Sequence, residues 1–357
     1  MKKGIFCVLV CMLMIISTIV PVSATVASKI TSQPMTMGNI LYVGGSGPNN
    51  YTKIQDAIND ATTGDTVFVY DESSPYWENL FVTKSITLNG EDRNTTIING
   101  KNIRETILIK GDSVTIKGFT IQHGGWLGWW KKEGILIRGN SSTIQGNIIQ
   151  NNYIGIALTN GPCYYQPHHH LIINNIIQSN RLIGITSRIG VTNCNISRNL
   201  ITENGEYGIG LSGTISSENT IIHNIISGNH NHGIVVVGTW NTIIENTVQN
   251  HTRMMGLKGI GIEIIGSNNS IIRNNLINNS RHAFQKEYAQ NSADVGNLTK
   301  ENNVWDANYW GQPLTEPKRI DGRVFYERRM FISLSVPWLA YDTHPAQELY
   351  EIPSIGA

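Results

Sequence analysis

Three inserts in this sequence hold the residue types that chemistry on a sugar or a metal would require. The first, Gly124-Gly125-Trp126-Leu127-Gly128-Trp129-Trp130-Lys131-Lys132, sets three indole rings beside two ammonium groups. Indole faces stack on sugar rings and on cations, so Trp126, Trp129, Trp130 and Lys131 are candidate ligand contacts. The alternative is that these rings fold back over apolar wall surface. The second insert runs from Asn160 to His170 and adds Tyr164 and Tyr165 to that candidate set. It also holds His168, His169 and His170, a candidate metal site because imidazole is a good ligand for copper and zinc. Consecutive side chains on a strand point to opposite faces, so at most two of the three could share one ion. The third insert, Thr252-Arg253-Met254-Met255-Gly256-Leu257-Lys258, lengthens a turn that corresponds to the first.

Cutting an acidic polysaccharide needs carboxylates in register. Hydrolysis uses a pair as acid and base, and elimination uses several to hold calcium beside a basic residue. Here no aspartate occurs between Ser113 and Ala293. The glutamates of that span are Glu133, Glu203, Glu206, Glu218, Glu245, Glu263 and Glu287, mostly at non-equivalent points of the pattern described below. Glu206 and Glu263 could pair only across about two repeats, and solvated surface glutamates are the expectation. No catalytic residue is assigned, and no cofactor is called for. Cys163 lies eight residues after Gly155 and Cys194 ten after Gly184. Those are nearly equivalent turns of adjacent repeats, which suits a Cys163–Cys194 disulfide; two free buried thiols are the alternative.

The elements that must position these groups are repeats. Segments 219–229, 241–250 and 269–279 read NTIIHNIISGN, NTIIENTVQN and NSIIRNNLINN, and related copies begin at residues 114, 142, 170 and 194. Equivalent points fall on Phe119, Asn147, Asn175, Asn199, Asn224, Asn246 and Asn274, at intervals of 28, 28, 24, 25, 22 and 28 residues. Each copy is followed by a strand opening on Gly-Ile, as at Gly155-Ile156 and Gly208-Ile209. Self-similarity at this period marks a solenoid. Alternating Ile and Val would fill its core, while Asn and Gly serve turns that need φ > 0 and stack as ladders. The fold expected is all-β: a right-handed parallel β-helix, a pectin-lyase-like solenoid.

A stack needs its ends covered. Thr52-Lys53-Ile54-Gln55 reads as a capping box opening a short cap helix with Ile54, Ala57, Ile58 and Ala61 on one face. The repeat is expected to stop near Ser280, and an irregular C-terminal tail rich in Trp, Tyr, Arg and Pro to fold over the last rung. At the other terminus, Lys2-Lys3, an apolar run from Ile5 to Val20 and the small residues after Pro21 read as a secretory signal with a cut expected after Ala24; an uncleaved anchor, from an apolar run near the lower length limit for a spanning helix, is the alternative. The resulting division is 1–24 signal, 25–39 flexible N-terminal segment, 40–112 N-terminal cap and first β-helix coils, 113–303 β-helix repeats and 304–357 C-terminal capping tail. No later stretch is apolar enough to span a bilayer. Sequons at Asn94, Asn140, Asn195, Asn268, Asn278 and Asn297 fit a surface glycoprotein. Among 357 residues the net charge is only +1, so no basic stripe suggests nucleic acid.

The opening YTKIQDAIND (51–60), GDTVFVY (64–70) and ENLFVTKSITLNGEDRNTTIING (78–100) resembles the start of NosD-type β-helix proteins. The Asn-rich rungs and the closing NVWDANYW (303–310) are similar to that family's repeats and end motif, and HPAQELYEIP (344–353) is similar to tails of archaeal surface members. The resemblance implies a pectate-lyase-like β-helix related to carbohydrate-binding and sugar-hydrolysis repeats. Its founding member is tied to copper-site maturation, but the similarity lies in scaffold residues, and a fold does not fix a function. The expected function is therefore an exported, non-catalytic surface protein that contacts glycan or cell-envelope polymer. A polysaccharide lyase or glycoside hydrolase with an atypical site, and a copper-handling accessory protein, are the alternatives.

Overall fold

The computed structural model describes residues 38–125, 133–159, 167–252, 259–289, 303–327 and 333–352. The leader and its expected cleavage site lie outside them. Short strands pair in parallel with their copies one repeat away and wind into a right-handed parallel β-helix with three walls. Wall A runs from Leu80–Val82 through Ile107–Ile109, Glu133–Ile137, Ile154–Leu158 and their successors to Arg281–Ala289. Wall B starts at Ile40–Val43 and reaches Val304–Asp306. Wall C is a separate eight-stranded sheet from Ile97–Asn99 to Asn275–Ile277.

Alternation along these strands builds the core. In wall B, Ile116, Ile144, Ile172, Ile196, Ile221, Ile243 and Ile271 stack on one another, fully buried. Wall C does the same with Ile121, Ile149, Ile177, Ile201, Ile226, Val248 and Leu276. Each such aliphatic contributes about 1.5–3 kcal/mol through burial, and like stacks on like because the register repeats.

Three polar ladders run through the corners. The first joins Asn147, Asn175, Asn199, Asn224, Asn246, Asn274 and Asn308; from Asn175 onward each Oδ1 accepts both the main-chain N–H and the side-chain amide of the residue one coil before, while Asn147 Oδ1 accepts the Phe119 N–H. The left-handed conformation does not fall on these asparagines. It falls on the residue just before each: Asn174, Arg198, His223, Glu245 and Arg273, with φ between 52° and 57°. Side chains as different as Arg, His and Glu fill that position, so hydrogen bonding inside the corner, rather than turn sterics, fixes the asparagine. The glycines of the Gly-Ile strands have a related reason. A Cβ on Gly155 would come within 2.5 Å of the Gly184 carbonyl oxygen, so the coils can approach only without one.

The cap helix spans Ile54–Asp60 and buries Ile54, Ala57 and Ile58 as the periodicity predicts. Its start differs from the expected capping box: Lys53 is the N-cap and gives no side-chain bond. Instead the Glu78 carboxylate, from the next coil, accepts the N–H groups of Ile54 and Gln55 at 2.8 and 3.0 Å. That places negative charge at the positive end of the helix. Lys84 does the converse at the other end, donating to the carbonyls of Asn59 and Ala61 at 2.6 Å each.

The repeat also runs further than the sequence suggests. After a 34-residue step the ladders continue to Asn303 and Asn308. The tail is not irregular: Lys318–Glu327 and Ser333–Asp342 form an antiparallel hairpin that extends the sheet. Asp342 closes the first ladder, its Oδ2 accepting Asn308 N–H, Asn308 Nδ2 and Trp310 Nε1 at 2.9, 3.1 and 3.0 Å. Asp342→Ala should therefore fray the last coil, leaving buried donors unpaired at about 1–3 kcal/mol each. Hydrogen exchange at Asn308 should accelerate while that at Asn175 does not; equal protection of Asn308 in variant and wild type refutes this closure.

Candidate functional site

Wall A sends alternate residues outward. In Ile107-Leu108-Ile109 and Ile135-Leu136-Ile137 the isoleucines enter the core, while Leu108 and Leu136 belong to a second cluster on the other face. At its N-terminal end this outer face carries a groove of about 530 Å³ lined by Asn79, Leu80, Phe81, Arg104, Glu105, Leu108, Lys110 and Arg138. Phe81 is 39% exposed, and Lys110 Nζ stands 4.7 Å from its ring centroid. The cap helix sets this ring in place, because Gln55 Oε1 accepts the Phe81 N–H at 2.7 Å. Lys110 and Arg138 follow Ile109 and Ile137, which are in register, so they sit one strand spacing, about 4.8 Å, apart along the stack. Like charges so placed repel. Among the described residues no ion pair involves Arg104, Lys110 or Arg138.

Further along the same face, Leu108, Leu136, Tyr153, Ile154 and Ala157 form the buried second cluster. Glu133 is 1% exposed and pairs with Arg188 from two coils on. Then comes a polar network. Tyr207 and His232 are register partners whose rings stack at 5.1 Å. His232 Nε2 lies 3.1 Å from Glu263 Oε2, and Lys286 Nζ 2.5 Å from Glu263 Oε1. Glu263 is 4% exposed. Burial alone would raise its pKa, but hydrogen bonds and charge from His232 and Lys286 prevail and hold it below the usual carboxylate value. Burial, with the nearby charges of Glu206 and Glu263, raises the Tyr207 phenol. The expectation of solvated glutamates is thus corrected for Glu133 and Glu263. Their partners come from other coils at different sequence offsets, which self-alignment could not bring together. A signal was present: Tyr207 and His232 interrupt a strand position that is Ile154, Ile183 and Ile260 on neighbouring coils, with Glu133 and Arg281 beyond them.

The candidate ligand residues Trp126, Trp129, Trp130, Lys131, Tyr164 and Tyr165 lie outside the described residues, as do Cys163 and residues 253–258 of the third insert. The flanks of the Trp insert are described. Gly125 N–H donates to the Arg104 carbonyl at 2.6 Å and Thr106 N–H to the Glu133 carbonyl at 3.1 Å. Both ends of that insert therefore meet the segment Arg104–Thr106, which forms one rim of the groove.

A family model described as periplasmic copper-binding protein (NosD) matches residues 58–258 and 159–315, well over half of the chain. The chain belongs to the NosD family. A 72-residue stretch is 40% identical to a cell surface glycoprotein of Methanothermus fervidus, covering 20% of this chain and only 12% of that one. Among solved structures, the A-module of the mannuronan C-5 epimerase AlgE4 from Azotobacter vinelandii superposes with a TM-score of 0.51 at 15% identity, over 72% of this chain and 83% of the module. Pectate lyase Pel9A matches with a TM-score of 0.46 and 12% identity, over 77% of this chain and 72% of that one. The epimerase likeness is one of fold.

The family description raises copper, and the described residues do not fit it. His168 and His169 share a hydrogen bond between their Nδ1 atoms at 2.7 Å. His170 turns away into the third ladder, 1% exposed, where its Nδ1 accepts the Ser142 N–H at 3.3 Å. Burial pulls its pKa down to about 4. The three histidines do not converge, and among the described residues no three His, Cys, Asp or Glu side chains stand close enough to hold an ion. Cys194 occupies the next rung of that ladder and is a free, buried thiol, against the expected pairing with Cys163. Its Sγ donates to the Thr192 carbonyl at 3.4 Å, and burial pushes its pKa up to about 11.

Proposed function

We propose that this NosD-family chain is an exported cell-surface protein that holds an acidic polysaccharide of the envelope along the outer face of wall A. The observation that carries this reading is the groove: three cations, Arg104, Lys110 and Arg138, none of them in an ion pair among the described residues, beside an exposed Phe81 ring and a single buried carboxylate, Glu105. A rigid scaffold maintains two of those cations at adjacent rungs against their repulsion, and a polyanion relieves it. Phe81 adds a flat apolar surface for a sugar ring. Gly125 and Glu133, which bracket the Trp126–Lys131 insert in sequence, bond to the rim segment Arg104–Thr106, and this supports Trp126, Trp129, Trp130 and Lys131 as further contacts for the polymer. The named cell surface glycoprotein relative and the family's periplasmic description support the location.

The test compares binding of the secreted protein to polygalacturonate and to a neutral glucan. Polygalacturonate should bind with an affinity that falls as salt rises. The Lys110→Ala/Arg138→Ala double variant should lose on the order of tenfold or more, with a flatter salt dependence. Trp129→Ala should weaken binding without altering the salt dependence. Equal binding of both polymers, or an unaffected double variant, would sink the proposal.

A further inference from the structure

The last coil of wall A breaks a rule that the earlier coils keep. From Gly134 to Gly261 one position of the wall is glycine on six successive coils, because a Cβ there would stand 2.5–2.9 Å from a carbonyl oxygen of the next coil. On the coil that follows, the same position is His282. Its side chain takes the space into which a further strand would press, and the following strand gives way. Arg281, Ala283 and Phe284 pair with Ile260, Ile262 and Glu263 on one side, and Lys318–Asp321 pair with Leu339–Asp342 on the other. Between the two strands the ladder begins only at Gln285 and Gly322. Their N-terminal ends therefore splay apart.

A pocket of about 130 Å³ fills the split. Its floor is apolar, made by Ala283, Trp310 and Ile320, all buried. Its walls carry Arg281, Lys318 and Arg319 against one carboxylate, Asp321. Arg319 is already engaged, its Nε donating to Asp321 Oδ1 at 3.1 Å. Arg281 and Lys318 form no ion pair among the described residues. They lie against rings instead, Arg281 4.6 Å from the Phe284 centroid and Lys318 5.8 Å from that of Trp310. His282 adds no charge, since burial and the Lys318 ammonium pull its pKa down to about 4. Two uncompensated cations thus face one small space over an apolar floor, where an anion is attracted more strongly than in open water.

We propose that this pocket binds a small tetrahedral oxyanion, a phosphate or sulfate group, either free or at the end of an ester. Size limits the ligand: about 130 Å³ is the share of about four waters at ~30 Å³ each, room for one such group and not for a sugar residue. Charge selects it, because a dianion matches both Arg281 and Lys318 while a carboxylate neutralises only one. The planar Arg281 guanidinium offers paired N–H donors to two of its oxygens. Bound there, the anion bridges the last coil, through Arg281, to the closing hairpin, through Lys318. The site lies at the opposite end of wall A from the Phe81 groove and does not depend on polysaccharide binding there.

The protein would be titrated with phosphate, sulfate, methyl phosphate and acetate at constant ionic strength, following the heat of binding and the His282 imidazole resonances. Phosphate or sulfate should fill one site with half-saturation at about 1 mM or below. The His282 pKa should rise as the anion offsets Lys318. Methyl phosphate binding as well as phosphate identifies an ester end group as the ligand, and its rejection identifies the free ion. Arg281→Gln and Lys318→Gln should each weaken binding about tenfold. Asp321→Asn, which removes the one carboxylate and frees Arg319, should tighten it a few-fold. Lys110→Ala/Arg138→Ala should leave it unchanged. The proposal is overturned by the lack of a saturable heat below about 10 mM, by acetate binding as tightly as phosphate, or by wild-type affinity in Lys318→Gln.

Discussion

Replacing Asn199 with alanine is expected to destabilise the solenoid by about 3–5 kcal/mol, several times the effect of an ordinary surface substitution. Its Oδ1 accepts Asn175 N–H and Nδ2 at 3.0 and 3.1 Å. Its Nδ2 donates to the Ile172 carbonyl and to Asn224 Oδ1, both at 2.9 Å. All of these lie in a fully buried corner. Alanine removes the side chain from both neighbouring rungs at once and leaves a main-chain N–H without partner or water, a penalty of about 1–3 kcal/mol for each stranded group. In a stack where each coil touches only the next, a break mid-ladder uncouples two halves. Urea unfolding should show a lower midpoint and a broader transition than wild type. The control is Gln178, which donates to Gln150 at 2.9 Å on a half-exposed outer ladder; Gln178→Ala should cost less than about 1 kcal/mol. Should Asn199→Ala unfold within 1 kcal/mol of wild type by the same assay, the ladder is ornament rather than support.

That contrast explains why so much of the fold could be read from the sequence. The ladder asparagines and the inward aliphatics recur because each coil must satisfy the same corner and fill the same slot, so the register appears directly as a period. The cap helix was legible for a similar reason, since Ile54, Ala57 and Ile58 share one face of a short helix. Its capping was not: the acceptor is Glu78, 24 residues away from Ile54, and only the closed coil brings the two together. The hairpin of the tail was hidden because it leaves the repeat, with the strands paired antiparallel rather than coil to coil. The site was legible only as outliers. Phe81 and Lys110 stand 29 positions apart and meet because strands Leu80–Val82 and Ile107–Ile109 are neighbours. Glu263 read as a stray surface acid because its partners, His232 and Lys286, sit on separate coils and at unequal offsets. Periodicity reveals what every coil needs, and a function carried by a few coils shows as departures from it.

Two of those departures lie inside the ladders themselves and should set the acid limit of the protein. His170 and His251 replace asparagine at buried rungs, 1% and 0% exposed. His251 Nδ1 donates to the Asn229 carbonyl at 3.0 Å and leaves Nε2 buried without a partner, while His170 Nδ1 accepts the Ser142 N–H and leaves its own Nε2 unpartnered. Burial holds both imidazoles neutral, with pKa values of about 4, against about 6.5 in an unfolded chain. Between those values the unfolded state binds the more protons, so stability is fully present above about pH 6.5 and falls as the pH drops toward 4. Each histidine accounts for a loss of about 3 kcal/mol over that window. The sign is opposite to that of a histidine stabilised by a carboxylate. His251→Asn should restore a rung that accepts the Asn229 N–H, and should leave stability at pH 7 little changed while raising it at pH 4.5 by about 2–3 kcal/mol. The double variant His170→Asn/His251→Asn should gain nearly twice as much, because the two rungs lie on different ladders and several coils apart. Urea midpoints measured across pH 4–7 decide the matter. Parallel stability–pH curves for wild type and His251→Asn would mean that the acid sensitivity resides in carboxylate pairs such as Glu133–Arg188 rather than in the ladders.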